Sequence, residues 1–359
     1  MTTKQTTTSN EQINEVLSRV NLDLSLEELV GSTVEQFALG KASKFELIRH
    51  GYQDLNIKVS TDSGEFILKV FSKRRTLTNV EEQTRTLNFF YENGVPVPHL
   101  VPCCGNPISM GEIELFGVVP SSKGDAYVAV LEFFKGPSFD DIKPKETDYI
   151  YLAGCLARMH RLSYRISQYY DDWGAANLVN EFEEKGKLLE AENPISKKEL
   201  LTTEDRKTIE KIVDRMKKVN LNKFRQCVIH GDLYRSHVLK KNELNYCIID
   251  FGCMDFNAAI LDLAIFAAHF CMDGTESPRE FKRIIELVEH AYRAAGGTIT
   301  HAEKEVMPLL MGASYATYVI ATTNLIAAKG DTSKATQGWL DLARRKLQAF
   351  VEADVVPLA

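Results

Sequence analysis

Two short stretches carry residue types that could transfer a phosphoryl group. One is Val228-Ile229-His230-Gly231-Asp232-Leu233. The other, whose Asp lies eighteen residues further on, is Ile248-Ile249-Asp250-Phe251-Gly252. Phosphoryl transfer asks little covalent chemistry of a protein. It needs one carboxylate that orients the attacking hydroxyl and takes its proton, and a second that holds a divalent cation against the nucleotide phosphates. A short hairpin between the motifs would bring both carboxylates together, making Asp232 the candidate base and Asp250 the candidate metal ligand. Upstream, Glu65-Phe66-Ile67-Leu68-Lys69-Val70-Phe71 sets one cation in an otherwise apolar strand. A charge there is costly unless paired, and nucleotide phosphates together with a helix carboxylate would pair it.

The elements that must position these residues follow from local pattern. A polar head, then amphipathic stretches at 11–20 and 26–39, precede short alternating runs at 44–49, 55–60 and 65–71, the last two joined through the turn Asp62-Ser63-Gly64. Val80, Leu87 and Phe90 share one face of a helix predicted over 80–93, which closes at Gly94 before the extended Val95-Pro96-Val97-Pro98. Further strands are expected at 113–119 and 127–134. Beyond Gly136 the pattern turns helical, with a helix over 149–162 and a charged helical hairpin over 197–220. Short strands at 227–230, 238–239 and 246–250 interrupt it, and helices run from 258 nearly to the end. Five strands and a helix followed by a helical half predict an α+β chain of two lobes. The division is a polar tail with a short helix over 1–25, a nucleotide-binding lobe over 26–134, and a helical lobe over 135–359 carrying the catalytic loop.

Composition narrows the class. With 44% hydrophobic and 26% charged residues, the 359-residue chain reads as folded rather than disordered. A net charge of −6 leaves no excess of cations to displace phosphate counterions, so a general nucleic-acid binder is not expected. No uninterrupted apolar run of about 18 residues occurs, so no membrane span is expected, and the Thr-rich start lacks the apolar core of a secretory signal. Seven scattered cysteines without a Cys-x-x-Cys pair point to reduced thiols in a cytoplasmic setting rather than to a disulfide framework or a zinc site. A P-loop is absent, as no Gly-x-x-x-x-Gly-Lys-Ser/Thr occurs.

Over roughly residues 40–350 the chain resembles the aminoglycoside phosphotransferase and choline kinase superfamily. The resemblance is carried by His230-Gly231-Asp232-Leu233-Tyr234-Arg235, Ile249-Asp250-Phe251-Gly252 and Asp262-Leu263-Ala264, and is closest in motif to the type II homoserine kinase and hydroxylysine kinase branch. It implies a protein-kinase-like fold with a five-stranded antiparallel N-lobe and a mainly helical C-lobe. It also implies ATP and Mg²⁺ as cofactors and a small-molecule alcohol as substrate, an amino alcohol or a hydroxy amino acid such as homoserine. Carried over residue by residue, Asp232 is the catalytic base, Asp250 the principal metal ligand and Lys69 the contact to the α/β-phosphates. The backbone of Glu132, Phe133 and Phe134 would read adenine, and the loop holding His50 and Gly51 would cover the phosphates. His230 and Asp262 would support the catalytic loop. Apart from the resemblance, Tyr234, Asp141 and Asp255 are candidates to line the substrate cleft, where the carboxylates would suit an amine.

Two positions depart from the family pattern. The second metal ligand, an Asn five residues after the base, is His237 here. Imidazole nitrogen suits Mg²⁺ poorly and Mn²⁺ better. At the helix position expected to pair with Lys69 stands Gln83, with Glu82 beside it. An antibiotic phosphotransferase and a nucleotide-binding protein without turnover are the alternatives these residues leave open.

Overall fold

Residues 55–70 alternate apolar and polar side chains, and in the computed structural model they form the centre of an antiparallel sheet. The described residues are 20, 22–48, 53–104 and 114–354. The chain divides into two units, Met1–Gly136 and Pro137–Ala359.

The first unit holds β1 (Ala42–Ile48), β2 (Leu55–Thr61), β3 (Gly64–Val70), β4 (Leu100–Val101), β5 (Gly117–Val119) and β6 (Ala126–Glu132). Their order is β1-β2-β3-β6-β4, with β5 also on β6. The sheet therefore has six strands where five were expected. β4 pairs with Leu131 and Val130 of β6, and β5 with Val128 to Ala126, so the two lie end to end along one side of that strand. Two residues just after Pro98 are too few to show a strand period, and β4 was missed for that reason.

Helix α1 (Leu26–Gln36) begins at a capping box in which Ser25 and Glu28 satisfy each other's backbone N–H groups. Its Leu29, Val30 and Val34 join Leu55, Ile57, Val59, Leu68, Val70, Val128 and Val130 in one core. Because side chains alternate across a strand, Lys69, between Leu68 and Val70, falls on the opposite face. Helix α2 (Leu77–Glu92) starts three residues before the predicted 80, where Thr76 and Asn79 form a reciprocal cap.

The second unit contains α3 (Glu146–Arg161), α4 (Leu178–Lys185), α5 (Thr203–Met216), α6 (Ala259–Ile265), α7 (Pro278–Ala294), α8 (His301–Ala327) and α9 (Lys334–Glu352). Two antiparallel ribbons interrupt them. In one, β7 (Gln226–Ile229) pairs with β10 (Asp255–Ala258); in the other, β8 (Val238–Asn242) pairs with β9 (Asn245–Ile248). The hairpin expected over 197–220 is instead the single helix α5, set off by the Thr202–Asp205 cap. It is not merely solvated, since it buries Ile209, Ile212, Val213 and Met216. β10 also escaped the sequence pattern, because Asp255-Phe256-Asn257-Ala258 is only four residues long and follows directly on the Asp-Phe-Gly stretch, and its shape comes from pairing with β7. Helix α8 has the length and apolarity to cross a membrane, but 89% of its most apolar window is buried, as in the core helix of a folded unit.

Helix α6 runs into a π-helical turn, Phe266–Cys271. Its carbonyls are taken by side chains from elsewhere in the unit. Tyr315 donates to Ala268 O (3.1 Å), Lys346 Nζ to Ala268 O and His269 O (3.3 Å each), and Arg235 Nε to Phe270 O (2.8 Å). Burial, with the Arg235 charge adding to it, pushes the Lys346 ammonium down to about 7. In the unfolded chain a lysine keeps its proton to about pH 10.4. Between these values the unfolded state binds more protons, so this residue makes the fold more stable as pH rises from about 7 to 10 and less stable as it falls back. Lys346→Met should remove that increment. Thermal melts across this range should show wild type gaining on the variant, and parallel pH dependences would rule out a depressed Lys346.

Candidate active site

The loop between β7 and β8 runs from His230 to His237, and the β8–β9 ribbon delivers Asp250. His230 is fully buried; its Nε2–H donates to Ile249 O (3.0 Å) and its Nδ1 accepts from Asp232 N (3.2 Å). Burial pushes its imidazole down to about 4, so the ring is neutral at physiological pH. Gly231 has φ +80°, and a Cβ there would stand 2.4 Å from the carbonyl oxygen of Cys253, which restricts the position to glycine. Asp262, on α6 and fully buried, accepts from the main chain of this loop: His230 N to Oδ2 (2.9 Å) and Gly231 N to Oδ1 (3.0 Å). Oδ2 also accepts from His160 Nε2 (3.0 Å), whose Nδ1 accepts from the Tyr292 hydroxyl (2.8 Å). Burial alone would raise the Asp262 carboxyl, but His160, His230 and the loop N–H more than offset it and hold it below the usual range.

Asp232, His237 and Asp250 meet at the open side of this loop. His237 Nδ1 lies 2.6 Å from Asp232 O, and since a carbonyl can only accept, that nitrogen carries a proton. The same nitrogen is 3.4 Å from Asp232 Oδ2, and Nε2 is 3.7 Å from Asp250 Oδ2. Asp250 sits in the left-handed region at φ +62°, and its Oδ1 accepts from Gly252 N (3.3 Å). Burial drives Asp232 upward, the negative charges of Asp250 and Asp171 add to this, and His237 opposes it. Burial would lower His237, but the two carboxylates outweigh it and raise the imidazole. A carboxylate moved toward neutral pH is better matched to taking a hydroxyl proton.

These groups suit a divalent cation. Asp250 offers a hard oxygen, and with Nδ1–H committed to a carbonyl, Nε2 is the His237 nitrogen that would bind. Among the described residues no three His, Cys, Asp or Glu side chains form a metal cage. A Mg²⁺ shared with phosphates needs only one or two protein ligands.

Tyr234 stacks on His269 (centroids 4.1 Å, 4°) and leans on Tyr318 (5.7 Å), which Trp173 meets edge-on (5.2 Å). Asp171, buried beside this aromatic group, accepts from Trp173 N (3.1 Å). Sequence reasoning missed Asp171, because Asp171-Asp172-Trp173 reads as an ordinary polar loop. Asp255 lies in β10, and both its oxygens take hydrogen bonds from the fold, from Tyr169 N and Asn257 Nδ2 (3.0 Å each).

In the first unit, Lys69 Nζ is 3.0 Å from Asp54 Oδ2, while Arg75 Nε reaches Asp54 Oδ1 at 3.1 Å. Gln83 is buried on α2 and Glu82 half-buried. The N–H groups of Glu132 and Phe133 are spent on His99 O and Glu65 O (3.0 Å each), so an adenine edge read by this stretch would depend on other groups, Phe134 among them. His50 and Gly51 lie outside the described residues.

The model of the phosphotransferase enzyme family matches residues 44–295. Homoserine kinase from Methylobacillus flagellatus is 24% identical over 241 residues, 66% of this chain and 67% of that protein. Among solved structures, amicoumacin kinase in complex with AMP-PNP and Ca²⁺ superposes with a TM-score of 0.65 at 13% identity, covering 96% of this chain and 97% of the other. Spectinomycin phosphotransferase in complex with ADP and spectinomycin gives 0.64 at 12%, covering 93% and 100%. A microcompartment-associated aminopropanol kinase gives 0.62 at 14%, covering 92% and 100%. At such identities the likeness to these structures is one of fold: an antiparallel N-terminal sheet followed by a helical half.

Asp262→Ala should test the support of the loop. It strips the acceptor from two main-chain N–H groups and from His160, each costing about 1–3 kcal/mol when buried unsatisfied. A lowered melting temperature and a kcat reduced by roughly a hundredfold are expected, since small displacements of reacting groups cost about that much. Wild-type kcat in a folded variant would show that the loop holds itself.

Proposed function

The chain belongs to the phosphotransferase enzyme family and is a small-molecule kinase, and we propose that it moves the γ-phosphoryl group of ATP to the hydroxyl of an amino alcohol or hydroxy amino acid, homoserine being the leading candidate. The observation that carries this reading is the Asp232–His237–Asp250 arrangement at the mouth of a loop held rigid from behind. Asp232 orients the acceptor hydroxyl and takes its proton. Asp250 and His237 would hold the divalent cation, which when bound neutralises phosphate charge. Lys69, in the first unit, is the candidate contact to nucleotide phosphate charge.

The acceptor's amine is the natural partner of Asp171 and of the aromatic faces of Trp173, Tyr234 and Tyr318. A carboxylate supplies the counter-charge, and ring faces attract a cation within about 6 Å. Homoserine kinase among the relatives supports an amino-acid acceptor. An ADP-release screen over amino alcohols, hydroxy amino acids, sugars and antibiotics tests the class. Turnover confined to antibiotics would replace the proposal with a resistance-type kinase.

Asp232→Asn should lower kcat by about 10²–10⁴ and leave nucleotide affinity nearly unchanged, the range ordinary for general base catalysis. A variant keeping more than about a third of wild-type kcat would take Asp232 out of the mechanism.

His237 should show in metal choice. With an imidazole at this position, activity should be higher with Mn²⁺ than with Mg²⁺, and His237→Asn should reverse the preference. Mn²⁺ titration followed by electron paramagnetic resonance should show weaker binding to the variant. Equal metal preference and equal Mn²⁺ affinity in both proteins would mean that His237 is no ligand. A wild type that stays inactive while His237→Asn turns over would make the native chain a nucleotide binder.

A further inference from the structure

The β8–β9 ribbon is two strands wide, a form with little stability of its own in water. Yet it carries a candidate metal ligand on each strand, His237 where the chain enters β8 and Asp250 where it leaves β9. At that end the catalytic loop fixes it. Ile249 N donates to His237 O (2.9 Å), and Ile249 O accepts from His230 Nε2 (3.0 Å). One fixed point still lets a ribbon tilt. A second lies further along, where Lys240 and Tyr246 face each other across one rung, two residues beyond the Val238–Ile248 rung. Both reach a single oxygen of helix α3: Asp148 Oδ1 accepts from Lys240 Nζ and from the Tyr246 hydroxyl, at 2.6 Å each. Asp148 Oδ2 accepts from Lys145 N (2.6 Å), which ties the carboxylate to the start of its own helix. The Asp148 and Lys240 side chains are only 1% and 8% exposed. Tyr151 of α3 stacks on the Tyr246 ring (centroids 4.3 Å, 22°), and Lys240 N donates to Pro137 O (3.0 Å).

We propose that Asp148, by gripping both residues of the Lys240–Tyr246 rung, sets the tilt of the ribbon and with it the placing of Asp250 against His237 for a divalent cation. The proposal rests on the reading of Asp250 and His237 as metal ligands. Residues directly opposite in an antiparallel pair point to the same face, so one carboxylate can take both donors. Holding Lys240 alone would fix β8 and leave β9 to follow. Holding both strands at one rung also fixes the twist between them. Burial alone would raise Asp148, but Lys240, Tyr246 and the Lys145 N–H outweigh it and keep the carboxyl below its usual range. The grip is therefore an ion pair with a hydroxyl added, and a buried charge is costly to part from its partner. Glu243, at the exposed tip of the ribbon, adds a second contact to Lys240 Nζ (3.0 Å). Lys240 and Tyr246 stand back from the metal end and act through the ladder, which makes them, with Asp148, positioning residues rather than ligands.

A brace that merely stabilises the fold would lower the melting temperature and leave metal binding by the folded protein untouched. The probe is therefore Mn²⁺ alone, followed by electron paramagnetic resonance well below each variant's melting temperature. Lys240→Met should raise the Mn²⁺ dissociation constant about fivefold or more. Tyr246→Phe, which removes one hydrogen bond and keeps the ion pair, should raise it about twofold. In both variants the turnover lost at low metal should return as metal is added. Wild-type Mn²⁺ affinity in a folded Lys240→Met, with only the melting temperature lowered, would overturn the proposal. If Lys240→Met does not fold, Tyr246→Phe decides, and wild-type Mn²⁺ affinity with an unchanged metal dependence of turnover would overturn it. Asp250→Ala separates the two levels. If it binds Mn²⁺ like wild type, the reading of the metal site fails and the proposal with it. If it binds weakly while Lys240→Met and Tyr246→Phe bind normally, only the positioning role fails.

Discussion

The Asp262 carboxylate accepts two consecutive main-chain N–H groups, those of His230 and Gly231, and the ring of His160, in a place where its own exposure is zero. Sealed from the surface, the carboxylate cannot lose these partners without becoming an uncompensated buried charge, and so the loop is held in place. From that fixed point the rest of the loop follows. Gly231 takes its left-handed turn, Asp232 N falls on His230 Nδ1, and the other side of the same ring ties Ile249, the neighbour of Asp250. Behind Asp262 the chain of contacts continues through His160 and Tyr292 to Arg225, whose own backbone N–H reaches Glu303. Because the carboxylate grips main chain, the side chains of Leu233, Tyr234 and Arg235 are left to make packing and hydrogen-bond contacts elsewhere in the unit.

Each unit also brings charged groups together at close quarters. Around Asp232 the carboxylates of Asp250 and Asp171 push its carboxyl up while the His237 imidazole opposes them. Around Asp54 one buried carboxylate meets both Lys69 and Arg75. Both groups are partly buried, where charges act more strongly than in water.

Much of the second unit's chemistry was legible because its residues are neighbours in sequence. A His-Gly-Asp stretch between apolar strand residues, then Asp-Phe-Gly after another apolar run, fixes a loop and a ribbon from local pattern alone. What pairs across the fold was not legible. Asp54 reads as the end of a polar loop, and only the β2–β3 register sets it diagonal to Lys69. Asp171 sits in a stretch with no periodicity. The π-helical turn follows a run of apolar residues that any helix could hold, and its shape is tied to Lys346, seventy-eight residues from Ala268. The His237 imidazole at the position of the second metal ligand was visible as a residue type, whereas the carbonyl that fixes its protonated nitrogen was not.

The sheet of the first unit ends on one side in two pieces, β4 and β5, separated by the fifteen residues 102–116 and too short to present a continuous ladder. At the other side β1 turns Ser43, Lys44 and Glu46 outward. A bare edge strand is a template on which another chain can add itself. Here one border is broken and the other is charged, so the most β-rich part of the protein resists coalescing with its own copies. That property matters most on the ribosome, where this unit is made before the helical half exists.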